Sequence, residues 1–143
     1  MMKRIIFTGM ALLTVMTGEA MAVCPGTRVI SKTNVMAALQ NATFCVGSVG
    51  NWQAQEFHKL TTSSGGRIED WKLGASDPVD PTQDIGAWNV NFSLVTYNYT
   101  GDSNNYNYSL FDQGGGVYKF CTSDGNTEVV TAIKKTGQVD CNL

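Results

Sequence analysis

The chain has 143 residues, of which 43% are hydrophobic and 15% are charged, and its net charge at pH 7 is −2. This length and apolar content are typical of one domain with a modest core. The charges are dispersed, without a basic block, so the composition excludes the electrostatic surface that nucleic acid or anionic lipid requires.

The N-terminal segment has the three parts of a secretory signal peptide. Lys3 and Arg4 supply a basic start, residues 5–16 form an apolar run, and Ala-Met-Ala at residues 20–22 fits a small-residue cleavage site. The apolar run is too short to cross a bilayer as a stable helix. We therefore expect a signal peptide over 1–22, a secreted or periplasmic product, one domain over residues 23–143, and no membrane insertion after cleavage.

Four cysteines follow the expected cleavage point, namely Cys24, Cys45, Cys121 and Cys141. An even number of cysteines in an exported chain is typical of disulfide bonds. A metal site is disfavoured because there is no C-x-x-C pair and the only histidine, His58, is distant in sequence. We predict two disulfides and no metal or other cofactor. Three pairings are possible, and short separation slightly favours Cys24 with Cys45 and Cys121 with Cys141.

The first predicted element is a short helix over residues 33–41. Val35, Met36 and Leu39 repeat at helical spacing, and Thr33 is a suitable N-cap residue.

From Ala42 onward the hydrophobic period changes to two, which is typical of β-strands. The predicted strands cover 42–46, 52–60, 67–73, 88–92, 95–99, 106–110, 117–122 and 128–133. A phase slip at residues 93–94 indicates a tight turn or a bulge. Asp124-Gly125 is the strongest hairpin signal, and it predicts a positive φ at the aspartate as well as at the glycine. Seven or eight short, regularly spaced strands predict an all-β fold, either an antiparallel barrel or a sandwich.

Two Asp-Pro steps stand in the segment between the third and fourth predicted strands. A residue before proline is driven into extended geometry, so Asp77 and Asp80 are expected in a stiff connector. The alternative is a cation site that uses these two carboxylates with Asp84, although the spacing does not follow the usual calcium-loop pattern.

Several short motifs together resemble a group of small exported bacterial proteins of unknown function. The motifs are W-x-x-x-E-F-H from Trp52, D-W-K-x-G from Asp70, D-P-V-D-P-T from Asp77, G-x-W from Gly86 and Y-K-F-C from Tyr118. The resemblance covers about residues 42–141 and implies no catalytic residue. The G-x-W motif is also loosely similar to that of lipocalin-like barrels.

One face of the second and third predicted strands collects polar and aromatic side chains. A turn over residues 63–66 would place Thr62 opposite Arg67 and His58 opposite Trp71, and directly opposed side chains share a face. The ligand-binding candidates on this face are Trp52, Glu56, His58, Arg67, Glu69 and Trp71. Such a mixture of rings and placed polar groups is typical of small-molecule sites. The alternative is a set of ordinary surface ion pairs beside a packed histidine.

The tyrosines form a second candidate site. Tyr97 and Tyr99 are expected across a hairpin from Tyr106 and Tyr108, which gives an aromatic ladder. The ladder could bind a sugar or a protein partner through ring and hydroxyl contacts, or it could be strand packing.

These observations favour an exported, non-catalytic protein that binds a small molecule or another exported protein. The first alternative is an inhibitor that binds an enzyme through the tyrosines. The second alternative is a small hydrolase that uses Glu56, His58 and Glu69, although no G-x-S-x-G turn or other nucleophile motif supports it.

Overall fold

The structure is a computed structural model that describes residues 23–70 and 83–142. The predicted signal peptide, Trp71, Asp77 and Asp80 lie outside the described residues. Within these ranges the chain forms one helix and nine strands. They are β1 (Thr27–Arg28), α1 (Lys32–Leu39), β2 (Ala42–Ser48), β3 (Asn51–Thr62), β4 (Gly65–Asp70), β5 (Gln83–Asn91), β6 (Leu94–Tyr99), β7 (Asn105–Gly114), β8 (Val117–Thr122) and β9 (Glu128–Thr136).

Strands β2 to β9 form a closed, eight-stranded antiparallel barrel. Each strand pairs with the next one along the chain, and β9 pairs back with β2, where Cys45 lies opposite Ile133. The short strand β1 pairs with β7 beyond the segment that pairs with β6, and this places Thr27 opposite Asp112. The predicted antiparallel barrel is confirmed, and the alternative sandwich is not formed.

The helix α1 covers one end of the barrel, which we call the helix end. The predicted short helix is confirmed, but Thr33 is not its cap, because Lys32 and Thr33 are already helical and Ser31 accepts the Asn34 amide at 3.3 Å. The helix buries Val35, Met36, Ala38 and Leu39 in one core cluster with Trp88, Val90, Val95 and Leu110. This apolar packing fills the helix end of the barrel.

The hairpin turns alternate between the two ends. The turns at 63–64, 92–93 and 115–116 lie at the helix end, whereas those at 49–50, 100–104 and 123–127 lie at the opposite end, which we call the distal end. The turn expected near residues 93–94 is confirmed, with Phe92 at φ 53° and 80% exposed.

The predicted Asp124-Gly125 hairpin is present, but its turn differs from the prediction. Gly125 has a positive φ of 79°, and Asp124 is not among the non-glycine residues with positive φ in the described chain. The Asp124 carboxylate instead accepts the backbone amide of Asn126 at 3.0 Å, as a short polar side chain does in a turn. A loop over residues 123–127 therefore connects β8 to β9 in place of the predicted two-residue turn.

Two disulfides join the ends of the described chain to the barrel wall. Cys24 pairs with Cys121 of β8, and Cys45 of β2 pairs with Cys141, so the predicted local pairing is wrong. The physical reason is that the segment before α1 crosses the outside of β7 and β8, while the C-terminal segment covers the outside of β2 and β3. Two such bonds are compatible with an oxidising extracellular compartment.

Side chains on the outside of the barrel hold the C-terminal segment in place. The Thr43 hydroxyl donates to the Gly137 carbonyl at 2.7 Å, and the Cys141 amide donates to the Gln55 side chain at 3.0 Å. Thr43 and Gln55 are buried polar residues for this reason. Both polar groups therefore keep hydrogen-bond partners where the segment excludes water.

Candidate functional site

A cavity of about 250 Å³ lies inside the distal half of the barrel, and we call it the central cavity. Because successive side chains on a strand point to opposite faces, every second residue of each strand contributes to this interior. Its apolar walls are formed by Phe44, Val46, Ala54, Phe120, Val130 and Ala132. Its polar groups come from β3 and from the tyrosines of β6 and β7.

The first polar pair in the cavity is His58 with Tyr97. The Nε2 atom of His58 lies 2.7 Å from the Tyr97 hydroxyl, and both side chains are buried, at 1% and 2% exposure. The Nδ1 atom lies 3.2 Å from the Glu56 carbonyl oxygen, which only accepts. Nδ1 therefore carries the proton, and Nε2 accepts the hydrogen bond that the Tyr97 hydroxyl donates.

The second polar pair is Glu56 with Tyr99. The Tyr99 hydroxyl donates to both carboxylate oxygens of Glu56, at 3.0 and 3.1 Å. Glu56 and His58 are two residues apart on β3, and Tyr97 and Tyr99 are two residues apart on β6, so each pair follows from strand alternation. The two pairs thus place four polar side chains on one wall region of the cavity, and Gln53 and Tyr108 are its other polar lining residues.

Burial shifts the pKa of both titratable groups on β3 toward the neutral form. Removal from water raises the pKa of Glu56 from 4.5 to about 7; the Tyr99 hydrogen bond lowers it and the charge of Asp70 raises it. Burial lowers the pKa of His58 from 6.5 to about 4, against hydrogen bonds to backbone carbonyls. His58 is therefore uncharged at neutral pH, whereas Glu56 exchanges its proton near neutrality.

The aromatic ladder predicted from the sequence is present in the hairpin of β6 and β7. Tyr97 lies directly opposite Tyr106. Ring centroids are 5.7 Å apart for Tyr97 with Tyr108 and 5.9 Å for Tyr99 with Tyr106, which is the range of favourable aromatic pairs. Tyr97, Tyr99 and Tyr108 line the central cavity, so these three rings face the barrel interior.

Tyr106 is the ladder residue nearest to the surrounding solvent. Its hydroxyl donates to the Asp102 carboxylate at 2.6 Å, in the loop at the distal end. This hydrogen bond anchors the loop beside the cavity and lowers the pKa of Asp102.

The predicted register of β3 and β4 is wrong. Lys59 lies opposite Arg67, and His58 lies opposite Ile68 rather than Trp71. An odd shift exchanges the two faces of a strand. Glu56 and His58 consequently face the interior, while Arg67 and Glu69 face outward.

This shift of three residues combines a turn that is two residues shorter than the sequence predicted with a β-bulge between Leu60 and Thr62, and the bulge makes the shift odd. Thr62 pairs with Gly65, so only Ser63 and Ser64 form the turn, and the two glycines belong to β4. A Cβ atom on Gly66 would stand 1.9 Å from the Lys59 carbonyl oxygen, and one on Gly65 would stand 2.1 Å from that of Trp88. These glycines permit close approach of neighbouring strands.

The outward residues of the predicted face form ion pairs. Arg67 binds the Asp84 carboxylate through two nitrogen atoms, at 2.7 and 2.5 Å, and Lys59 binds Glu69 at 2.9 Å. Glu69 is therefore on the opposite side of the barrel wall from His58, and the structure does not bring together the three residues of the hydrolase alternative. Asp84 thus forms an ion pair with Arg67, whereas Asp77 and Asp80, the other two carboxylates of the suggested cation site, lie outside the described residues.

Trp52 lies near the distal end of β3, outside the set of residues that line the cavity. Its indole nitrogen donates to the Asn142 side chain at 2.8 Å, which joins it to the C-terminal segment. Of the six predicted ligand-binding residues, the structure places Glu56 and His58 in the cavity and Trp52, Arg67 and Glu69 elsewhere, and Trp71 lies outside the described residues.

Several cavity residues were not predicted as site residues. Phe44 and Val46 are two residues apart on β2, and Val130 and Ala132 are two residues apart on β9, so period-two patterning was a usable signal. The pairing of Tyr99 with Glu56 carries no such signal, because it joins residues 43 positions apart.

Within the described ranges, no three His, Cys, Asp or Glu side chains form a group that could hold a metal ion. No helix in the same ranges has the length and apolar content to cross a membrane. Comparison with known proteins finds no matching family model, no matching curated protein and no matching solved structure. The fold and the site define a small disulfide-bonded antiparallel barrel with an internal, partly polar cavity.

Proposed function

We propose that the protein binds a small organic molecule in the central cavity without catalysing a reaction on it. The observation that carries this proposal is the cavity itself, in which two hydrogen-bonded polar pairs stand in apolar walls. Small-molecule sites have this composition, with a few polar groups that orient a largely apolar ligand. Its volume of about 250 Å³ is just below the range of roughly 300–1,000 Å³ that is usual for ligand pockets, which favours a ligand of one ring.

The contacts of His58 favour binding over catalysis. Both ring nitrogens already have hydrogen-bond partners, and burial lowers the pKa of His58 to about 4. A general base works best when its pKa is near the operating pH. The wall of the barrel also separates His58 from Glu69, which the hydrolase alternative requires.

Export remains part of the proposal. The two disulfides support an oxidising compartment, and the N-terminal sequence pattern supports secretion or a periplasmic location. Compounds and proteins from that compartment should therefore be tested first for binding.

The first experiment is native mass spectrometry of the protein purified gently from the exported fraction of its host. We expect additional mass that disappears on denaturation. A matched pair of variants then locates the site: Ala54→Phe adds a ring at a residue that lines the cavity, whereas Ala87→Phe makes the same change on β5 at a residue paired with outward-facing Arg67. Ala54→Phe should lose the added mass and Ala87→Phe should keep it.

The same variants can be tested with neutral, cationic and anionic single-ring compounds. Binding should shift backbone amide signals of β3 and β6 in the unmodified protein and in Ala87→Phe, but not in Ala54→Phe. Equal binding by both variants would place the ligand elsewhere and contradict the proposal. The absence of both a native adduct and shifts with any compound would also contradict it.

A further inference from the structure

The charge inside the central cavity is asymmetric. Among the described residues, those that line the cavity include the carboxyl group of Glu56 but no lysine or arginine. His58 also lines the cavity, and its burial keeps it uncharged at neutral pH. An anionic ligand would therefore lose its hydration without gaining a compensating charge, which is costly.

The aromatic side chains of the cavity favour a cationic ligand. Tyr97, Tyr99 and Tyr108 line the same cavity, with the Tyr97 and Tyr99 rings stacked at 6.1 Å. The face of an aromatic ring attracts a cation, most strongly where water is excluded. The carboxyl group of Glu56 and the three tyrosine rings line the same cavity, so both favour a positively charged group there.

The cavity volume limits the size of the ligand. A cavity of roughly 150 Å³ holds benzene, so about 250 Å³ accommodates one ring and a short branched substituent. The apolar side chains of Phe44, Phe120 and Val130 are suited to the ring, and Glu56 to the substituent.

We propose that the central cavity selects a small organic cation, an amine or quaternary ammonium group attached to one apolar ring, with Glu56 as its counter-ion. Tyr97, Tyr99 and Tyr108 provide the aromatic walls around the positive group. The inference rests on the proposed ligand-binding function and specifies the chemical class of its ligand.

Binding of such a ligand is coupled to loss of a proton from Glu56. Among the described residues, the titratable groups that face Glu56 are Asp70 on β4, Tyr97 and Tyr99 on β6, Tyr108 on β7 and His58 on its own strand. None of them is cationic at neutral pH. A bound cation therefore favours the ionised carboxylate and lowers the pKa of Glu56 from about 7.

A permanently charged probe separates this effect from titration of the ligand. Benzyltrimethylammonium carries a fixed charge, and neopentylbenzene has the same shape without charge. Above about pH 7.5 the cation should bind at least about tenfold more tightly than the neutral compound. Below about pH 7 its affinity should fall by up to about tenfold per pH unit, because one proton competes with it.

Two substitutions of the same type test the role of Glu56. Glu56→Gln keeps an acceptor for the Tyr99 hydroxyl but removes the charge, whereas Glu128→Gln removes a carboxylate that binds Lys119 on the outside of the barrel. The preference for the cation should fall below about threefold in Glu56→Gln and remain in Glu128→Gln. Titration calorimetry in buffers of different ionisation enthalpy should detect a proton released on binding to the unmodified protein at about pH 6.5.

The failures of the two proposals are distinguishable. Equal or tighter binding of neopentylbenzene, with amide shifts in β3 and β6, would overturn the cation inference and leave ligand binding intact. Tighter binding of phenylacetate, a single-ring anion, than of benzyltrimethylammonium would likewise overturn the cation inference and leave ligand binding intact. Cation binding that Glu56→Gln leaves unchanged would also overturn the inference. Failure of the cation to bind overturns it too, and the ligand-binding function is then decided by the Ala54→Phe and Ala87→Phe comparison.

Discussion

The Tyr99 hydroxyl donates to both carboxylate oxygens of Glu56, and this contact joins β6 to β3 across the barrel interior. The hydrogen bond stabilises the ionised carboxylate, but burial is the larger effect and raises the pKa of Glu56 to about 7. The folded protein therefore binds this proton more tightly than the unfolded chain does, where the ordinary value is 4.5.

The first prediction is that Glu56 makes the protein less stable as the pH rises. Below about pH 4.5 the Glu56 carboxyl group is protonated in both the folded and the unfolded protein, so its burial does not depend on pH. Between pH 4.5 and 7 the carboxyl group ionises in the unfolded chain but stays protonated in the folded protein, and this lowers the unfolding free energy. The difference between the two pKa values corresponds to roughly 3 kcal/mol of unfolding free energy. Urea unfolding of the unmodified protein and Glu56→Gln at several pH values should show Glu56→Gln gaining relative stability from about pH 4.5 to 7.

The quantity to compare is the difference in unfolding free energy between the unmodified protein and Glu56→Gln. His58 makes the unfolding free energy rise with pH in both proteins, and its contribution cancels in this difference. Glu128→Gln serves as the control, since the pKa of Glu128 is lowered by its bonds to Lys119 and Thr131. A constant difference between the unmodified protein and Glu56→Gln across this pH range would contradict the proposed burial of the carboxyl group.

The second prediction is that His58 makes the protein sensitive to acid. Burial lowers the pKa of His58 from 6.5 to about 4, so the stability it contributes is complete above pH 6.5 and is lost as the pH falls toward 4. His58→Phe retains a ring beside Phe44 and Trp88 but removes the acceptor for Tyr97. At neutral pH it should cost about 1–3 kcal/mol, because the buried hydroxyl loses its partner.

A double-mutant cycle separates this hydrogen bond from ring packing. Tyr97→Phe removes the hydroxyl, so combining it with His58→Phe should cost less than the sum of the two single changes. The difference in unfolding free energy between the unmodified protein and His58→Phe should shrink from pH 6.5 to 4. Additive single changes, or a difference that is independent of pH, would exclude the assigned pairing.

The eight barrel strands were predictable from sequence because each one has a hydrophobic period of two and a turn at its end, whereas the two-residue strand β1 was not predicted. The bounds predicted for β8, residues 117–122, agree with the structure, and the tyrosine hairpin pairs as expected. The register of β3 and β4 was not predictable in this way. Gly65 and Gly66 have the composition of a turn but lie inside β4, where the neighbouring strands approach closely, and the β-bulge between Leu60 and Thr62 exchanges the faces of Arg67 and Glu69.

The candidate site was predictable only in part, because it depends on contacts between distant segments. His58 and Glu56 share a strand face by alternation, so their neighbourhood follows from sequence. Which side of the strand faces the interior is set by the closed barrel, and the partner of Glu56 is 43 residues away. The disulfides are also determined by where the terminal segments cross the barrel, which sequence separation does not reveal.

The third prediction concerns the apolar contact between α1 and the barrel. Leu39 is fully buried, and it packs in the cluster that contains Val90, Val95 and Leu110. Leu39→Ala should reduce the unfolding free energy by about 2–5 kcal/mol, because it leaves a cavity at the helix end. Lys32→Ala, at an exposed position of the same helix, should change it by less than about 0.5 kcal/mol. Equal effects in urea unfolding would show that α1 does not close the barrel.

The last prediction concerns the disulfide between Cys45 and Cys141. It closes a sequence separation of 96 residues and fixes the C-terminal segment against β2 and β3. In the loop-entropy description, such a bond contributes about 4–5 kcal/mol, mainly by restricting the unfolded chain. The double substitution to serine should lower the unfolding free energy by up to that amount, and it should increase amide exchange at residues bonded to Thr43 and Gln55.

Peptide mapping under non-reducing conditions tests the pairing directly. Digestion should release a linked pair of peptides containing Cys24 and Cys121, and another containing Cys45 and Cys141. Peptides that link Cys24 to Cys45 would refute the arrangement of the terminal segments, since one cysteine cannot pair twice. In the double-serine variant the Cys24–Cys121 peptide should persist, because that bond joins the N-terminal segment to β8 on the outside of the barrel and does not depend on the C-terminal segment.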